Sequence, residues 1–303
     1  MGKPSKRHRA KGRAQRQNLA RVVQRPFSIN CAYWNCNGLI RDNKQDMIVD
    51  VMYNNNLHVL MSRQVHMVLQ GEAWERKERW RGTIVQPGLN HSRYEPPLPM
   101  YPYLDTEREW ILIHENNSSV ALCFVYLAAE VEGENFQVWN AELCAMLQAE
   151  ITTLREDGYM CSLAGDFNGH IGADRQGIPG NNIDINSNGR LIRSFISAND
   201  LRIVNSDAER CKGLFTWITH NSVSALDLVL EDDTDDLLVT EMSKETFGEI
   251  LGGSDHSTIF YELRIKSGTS TIEPQEEDLI VGPNQATGEA YREDFEALVS
   301  LAD

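Results

Sequence analysis

The 303-residue sequence lacks several features that assign a class quickly. No apolar run approaches the ~18 residues that span a bilayer, so no membrane association is expected. The N-terminus has no apolar centre of the kind a secretory signal carries, and a secreted product is not expected. Six cysteines are scattered, mostly inside apolar segments, and none forms a C-x-x-C pair. That spacing argues against a zinc or disulfide framework and leaves buried thiols in a reducing compartment. Basic charge is also scarce: 29 Lys and Arg stand against 44 Asp and Glu, for a formal net charge of −15.

What basic charge there is lies unevenly. Residues 1–25 hold nine Lys or Arg and no acid. The segment GKPSKRHRAKGRAQR reads as a disordered basic arm over 1–26, serving nucleic-acid binding or nuclear import. An organelle transit peptide or a solvated tail without a partner are the other readings. The acidic remainder argues against DNA binding by broad surface charge, because phosphate contacts need local positive charge. A cleft that collects carboxylates for a metal would add to that acidity.

Strand and helix patterns alternate from Phe27 onward. FSINCAYW (27–34) reads as a strand and QDMIVDVM (45–52) has helical spacing. HMVLQ (66–70) is a short strand ending just before Glu72. EWILIH and SVALCFVY form a hairpin across Asn116–Asn117. The clearest helix lies within 134–157, with Phe136, Trp139, Leu143, Leu147, Ile151 and Leu154 on one stripe. A strand ending in AGDFN, an amphipathic helix in GRLIRSFISAND and five strand-like runs follow: LRIVN, LFTWIT, ALDLVL, LLVTE and STIFYEL. Helices among many strands predict an α/β protein, a layered sandwich with a mixed-sheet core over 27–265. Residues 266–303 read as a polar linker with one short terminal helix.

Several strand ends carry a polar residue. Asn35 follows the first strand, Glu72 stands in GEAW, Tyr126 ends CFVY, and Asp166 and Asn168 follow an apolar run. The last two alone make an ordinary Asx turn. Asp227 sits inside an apolar run with no neighbouring cation in sequence, where an unpaired carboxylate is costly, and His256 in GGSDHS is its natural partner. Such a set suits phosphodiester hydrolysis. One or two carboxylates hold Mg²⁺, an Asp or an Asp-oriented His relieves water of a proton, and amide or phenol donors hold the phosphate oxygens. The acid run EDDTDD (231–236) reads as a solvated loop rather than a metal site. Trp34, Trp74, Trp80 and Trp110 read as packing residues, and the histidines other than His256 as surface or packing residues.

WNCNGL, GEAW, VY, GDFN, LDLVL and SDH, in this order, resemble the exonuclease–endonuclease–phosphatase superfamily. The resemblance is nearest to the endonuclease domain of non-LTR (LINE-type) retrotransposons, and it runs from about Phe27 to Leu263. It implies a four-layer sandwich of two packed mixed β-sheets flanked by helices. It also implies an Mg²⁺-dependent DNA-nicking endonuclease, with Mn²⁺ able to substitute. By position, Glu72 is the direct metal ligand, with Asn35 and Asp255 on the metal side. Tyr126 contacts the scissile phosphate, Asp166 orients or activates the attacking water, Asn168 steadies the transition-state oxygens, and Asp227 fixes the tautomer of His256, which faces the phosphate. Thr216 and Ser254 are phosphate-side donors. The implied partners are DNA, element RNA through residues 1–25, and a reverse transcriptase following in the native polyprotein. The implied location is the nucleus, after synthesis in the cytoplasm.

The sequence departs from the family pattern twice. The Gly-rich strand expected after the glutamate motif is replaced by a Pro- and Tyr-rich stretch over 81–110, and the prolines expected after Tyr126 are replaced by LAAE. A phosphatase or lipid phosphodiesterase on the same fold, and a catalytically dead nucleic-acid-binding relative, are the competing functions.

Overall fold

The computed structural model describes residues 27–35, 50–70, 73–86, 88–96, 104, 107–115, 118–130, 135–173, 177–178, 184–212, 215–218, 223–234, 236–244 and 254–265. The basic arm, the region after 265, Glu72 and Cys36 lie outside the described residues.

Two six-stranded sheets form the centre. The first contains β1 (Phe27–Asn35), β2 (Val59–Gln70), β3 (Ala73–Val85), β9 (Cys211–Lys212), β13 (Leu237–Lys244) and β14 (Ile259–Ile265), in the order β3-β2-β1-β14-β13-β9. The second contains β4 (His91–Tyr94), β5 (Arg108–Glu115), β6 (Ser118–Tyr126), β7 (Met160–Asp166), β8 (Leu201–Ile203) and β12 (Asp227–Asp232), in the order β4-β5-β6-β7-β12-β8. Both sheets are mixed: β1 pairs parallel with β2 and antiparallel with β14, while β6 pairs parallel with β7 and antiparallel with β5. A separate ribbon joins β10 (Trp217–Ile218) to β11 (Val223–Ser224). The chain is an α/β sandwich of the predicted kind.

The alternation of side chains along each strand builds two cores at once. In β6, Val120, Leu122 and Phe124 face the first sheet, where they meet Ile29, Cys31, Tyr33 and Val59. Ala121, Cys123 and Val125 face the helices α1 (Phe136–Glu156) and α2 (Ser187–Ala198), among Leu143, Leu147, Ile151 and Phe195. A strand covered on both faces must be apolar throughout, which explains the unbroken run SVALCFVY. Tyr33 and Phe124 join the sheets with ring centroids 5.6 Å apart. Residues 50–54 are helical, with Val51 and Met52 buried; the rest of the helix expected over 45–52 lies outside the described residues.

Two local expectations change. The acid run EDDTDD is half strand: Glu231 and Asp232 close β12 and are 0 % and 3 % exposed. Glu231 accepts from Arg210 at 2.6 Å and from the Val239 N–H at 2.6 Å, while Asp232 binds Arg155 at 2.6 Å and the Cys161 N–H at 2.7 Å. Among its described residues LFTWIT contributes the two-residue β10, and the stretch 81–110 supplies the end of β3, all of β4 and the start of β5.

The stripe of α1 carries two buried polar residues that apolar periodicity does not anticipate, Asn140 and Glu150. Glu150 accepts from Arg108 Nε and Trp110 Nε1, each at 2.7 Å, so the helix is docked by a closed polar cluster as well as by apolar contact. Among the described residues no helix is long and apolar enough to cross a membrane. Burial pushes the Cys31, Cys144 and Cys161 thiols up, which leaves them poor nucleophiles.

Candidate active site

The two sheets present their polar strand ends at one edge of the sandwich. In register, Tyr126 pairs with Asp166 across β6–β7, and Asp166 pairs with Asp227 across β7–β12. Side chains paired in register share a face. By alternation that face is the one carrying Phe124, Ala164 and Val229 toward the first sheet. Asn35 continues the stripe of Ile29, Cys31 and Tyr33 on β1. The apolar stripes between the sheets thus end in Asn35, Tyr126, Asp166 and Asp227. Gly165 allows the close strand approach beside Asp166, since a Cβ there would lie 1.8 Å from the Val125 carbonyl oxygen.

Asn35 Nδ2 donates to Asp166 Oδ2 at 3.0 Å, a bond that crosses from one sheet to the other. Asp166 Oδ1 accepts from the Asn168 N–H at 3.0 Å. Asn168 follows at φ 46°, a left-handed conformation that asparagine tolerates, and its Nδ2 donates to the Leu127 carbonyl at 2.8 Å. Asp227 is fully buried, and its Oδ2 lies 2.9 Å from His256 Nδ1. His256 Nε2 points the other way, 3.8 Å from Asp166 Oδ2. The imidazole therefore bridges two carboxylates.

Thr216 and Ser254 brace this arrangement. Thr216 Oγ1, 1 % exposed, accepts from the Leu226 and Asp227 N–H groups at 3.1 and 3.0 Å. Ser254 Oγ donates to the Asn35 carbonyl at 2.6 Å and accepts from the His256 N–H at 3.1 Å. Asp255 Oδ2 accepts from Trp217 Nε1 at 3.0 Å. Asn35, Asp166, Asn168, Asp227, Ser254, His256 and Thr216 thus form one linked group, with Tyr126 and Asp255 beside it. Glu72 lies outside the described residues. The sequence reading missed Asn140, Asn186 and Asn188, which stand behind Asn168, and His170, whose Nδ1 lies 2.8 Å from Ser224 Oγ. For Asn140 the signal was a polar position inside an apolar helix stripe; Asn186 and Asn188 lie at the start of α2 and His170 in a loop.

Burial alone would lower the His256 pKa, but the charges of Asp227 and Asp166, the hydrogen bond to Asp227 and the charge of Asp255 outweigh it and raise it from 6.5 to about 10. The ring is an imidazolium at neutral pH. Because the folded pKa exceeds the unfolded one, its contribution to stability is complete below pH 6.5 and is lost as pH rises toward 10. The urea midpoint of metal-free protein should fall across that window, and the His256→Gln variant should lack that component of the fall. A ring titrating below pH 7 by NMR would contradict the assignment.

Asp166, Asp227 and His256 place ligand atoms within 4.8 Å of one another. Asp227 accepts from the imidazolium, while Asp166 accepts from the Asn35 amide and the Asn168 N–H. The Asn35 amide and the carboxylates offer oxygen donors of the kind a hard divalent ion takes, while Asp255, bonded to Trp217, stands outside the group of ligand atoms within 4.8 Å. Three carboxylates against one imidazolium also leave the site anionic, and a phosphate diester would be repelled without added positive charge.

By sequence, no protein-family model and no curated protein matches the chain. By structure, the chain is similar to the AP endonuclease LMAP from Leishmania major, with TM-score 0.57 and 11 % identity over 78 % of this chain and 88 % of that one. It is similar to the 3′ phosphatase NExo from Neisseria, bound to a product DNA hairpin, with TM-score 0.53 and 14 % identity over 77 % and 98 %. It also matches the endonuclease domain of TRAS1, a telomere-specific non-LTR retrotransposon, with TM-score 0.49 and 13 % identity over 80 % and 99 %. The fold is that of the endonuclease/exonuclease/phosphatase proteins.

Proposed function

We propose that the chain is a divalent-metal-dependent phosphodiesterase that nicks DNA, acting as the endonuclease of a non-LTR retrotransposon. The observation that carries this reading is the linked set Asn35–Asp166···His256–Asp227 at one edge of the sandwich. Asp166 takes the proton of the attacking water. Water oxygen bonds to phosphorus, the bond from phosphorus to the 3′ oxygen breaks, and the 3′ oxygen takes a proton from solvent water to leave a 3′-hydroxyl. The His256 imidazolium donates to a non-bridging oxygen. One N–H of the Asn168 amide is spent on Leu127, and the second remains for the phosphate. Tyr126 donates from the neighbouring strand end, and Thr216 and Ser254 hold the backbone beneath. Glu72, Asn35 and Asp255 would hold Mg²⁺ or Mn²⁺, which would supply charge neutralisation at the phosphate oxygens.

DNA as the substrate is supported by the basic arm, which gathers nine Lys and Arg in one segment of an acidic chain, and by the sequence resemblance over 27–263. The same reading carries element RNA as a ligand of residues 1–25, a reverse transcriptase beyond residue 303 and a nuclear site of action. The test is supercoiled plasmid incubated with the protein in Mg²⁺, Mn²⁺ or chelator. Nicked circles that a polymerase extends are expected with either metal and not with chelator. Nicking unaffected by chelator, or absent with every divalent metal, would overturn the proposal. Phosphate release from a 3′-phosphorylated oligonucleotide without plasmid nicking would favour the phosphatase function.

A further inference from the structure

Behind Asn168 stands a set of asparagines that the proposed chemistry does not use directly. Asn140, on the buried stripe of α1, pairs with both backbone groups of Ala128: Oδ1 accepts from the N–H at 2.8 Å and Nδ2 donates to the carbonyl at 2.9 Å. The same Nδ2 also lies 2.9 Å from Asn188 Oδ1. Asn188, in the first turn of α2, donates through Nδ2 to the Ala128 carbonyl at 3.0 Å and the Asn168 carbonyl at 3.1 Å. Both residues are 2 % exposed. Asn186 adds a longer bond to the Asn168 carbonyl, at 3.4 Å. The loop sits directly on the helix here, since a Cβ on Gly189 would lie 2.0 Å from the His170 carbonyl oxygen.

Two chain segments meet at this point. One is the end of β6, running Tyr126, Leu127, Ala128; the other is the turn Asp166, Phe167, Asn168. They are joined by the Leu127 N–H bond to the Asp166 carbonyl and by the Asn168 side chain on the Leu127 carbonyl, at 3.0 and 2.8 Å. The Asn168 N–H is taken by Asp166 Oδ1, but neither of these bonds holds the carbonyl side of its left-handed backbone, which needs its own support. The Asn188 amide provides it by holding the carbonyl of that residue, while Asn140 holds Asn188 and the partner segment at once.

We propose that Asn140 and Asn188 are positioning residues that act through Asn168, fixing its amide and the Tyr126 strand end relative to Asp166. They touch no substrate. Each must donate and accept among buried polar groups, which an amide does and a carboxylate does not, and this accounts for asparagine at both positions. In Asn188→Ala the Asn168 carbonyl keeps only the long bond from Asn186. In Asn188→Asp a carboxylate faces two carbonyl oxygens.

This inference rests on the phosphodiesterase reading for its kinetic part, so its test has two arms. In metal-free protein, NMR should show the Asn168 side-chain amide protons exchanging slowly in the wild type. They should exchange about ten times faster or more in Asn188→Ala, once supporting hydrogen bonds are gone, with the His256 ring resonances unchanged. This arm reads the positioning whether or not the protein cuts DNA. In single-turnover cleavage, Asn188→Ala should lose about 10- to 100-fold in rate, the usual cost of removing a group that orients a reacting residue. DNA affinity should stay within about twofold, since no substrate contact is lost. In an Asn168→Ala background the same change should cost about twofold or less, because there is no amide left to position. Asn188→Ser and Asn140→Ala enter the same cycle if Asn188→Ala folds poorly. Losses that multiply with that of Asn168→Ala, or unchanged amide exchange, would overturn the inference. An inactive wild type whose amide exchange responds as expected would instead count against the phosphodiesterase reading alone.

Discussion

Asp166→Asn should reduce single-turnover DNA cleavage by about 10³-fold, within the range for loss of a general base. Three features make this position the most sensitive one. Asp166 is 2 % exposed and receives the Asn168 N–H and the Asn35 amide on its two oxygens, so both neighbours are aimed by its charge. It faces His256 Nε2 at 3.8 Å, on the side of the ring opposite the Nδ1 that takes Asp227. It also helps keep His256 protonated, being the second charge that raises the pKa of that ring. The asparagine has nearly the same shape and preserves the fold, but it offers one acceptor where two donors converge and no place for a proton. The ring of His256 should therefore titrate at lower pH in this variant than in the wild type. Cleavage within about tenfold of the wild type would exclude Asp166 as the base, and an unmoved His256 titration would exclude the electrostatic link.

His256→Ala and Asp227→Asn should each lose about 10²- to 10³-fold, and the double variant should be scarcely worse than either, because members of one reacting unit are strongly non-additive. Asp227 is 0 % exposed and lies 2.9 Å from His256 Nδ1. Its backbone is pinned by Thr216 Oγ1 on the N–H side and by Asn205 Nδ2 on the carbonyl, at 3.0 and 3.1 Å. The carboxylate thus has one orientation, and the ring bound to it must present Nε2 toward Asp166. Without the ring, Asp227 is a buried charge with its partner gone; without Asp227, the ring loses the largest influence raising its pKa. A double-mutant cycle on single-turnover nicking measures the coupling. Two losses that multiply would show independent residues and dismiss the dyad.

Much of the sandwich was legible in the chain because its strands bury both faces. Runs such as SVALCFVY have no polar interruption to misplace, and the long helix carries its stripe from Phe136 to Leu154. Where local pattern failed, a distant partner had overridden it. Glu231 and Asp232 read as solvated because nothing near them in sequence neutralises them, yet Arg210 and Arg155 come from other elements to do so. Asn140 and Glu150 interrupt an apolar stripe, and neither Ala128 nor Arg108, their partners, lies within a helical turn of them.

The sequence by itself determined which residue types stand at the strand ends: an amide after the first strand, a phenol after β6, an acid and an amide after β7, an acid opening β12. Periodicity made their neighbours apolar and so marked these positions as exceptions. Only the tertiary structure decided that they share one edge. Sheet order and register are properties of pairing between distant segments, and a strand's own residues do not say which neighbour it takes. It is the β6–β7–β12 register that lines up Tyr126, Asp166 and Asp227. It is the packing of the two sheets that brings Asn35 across 131 positions to hydrogen-bond Asp166. The charge on His256 was decided there too, since an imidazole shifts to about 10 only where buried carboxylates surround it.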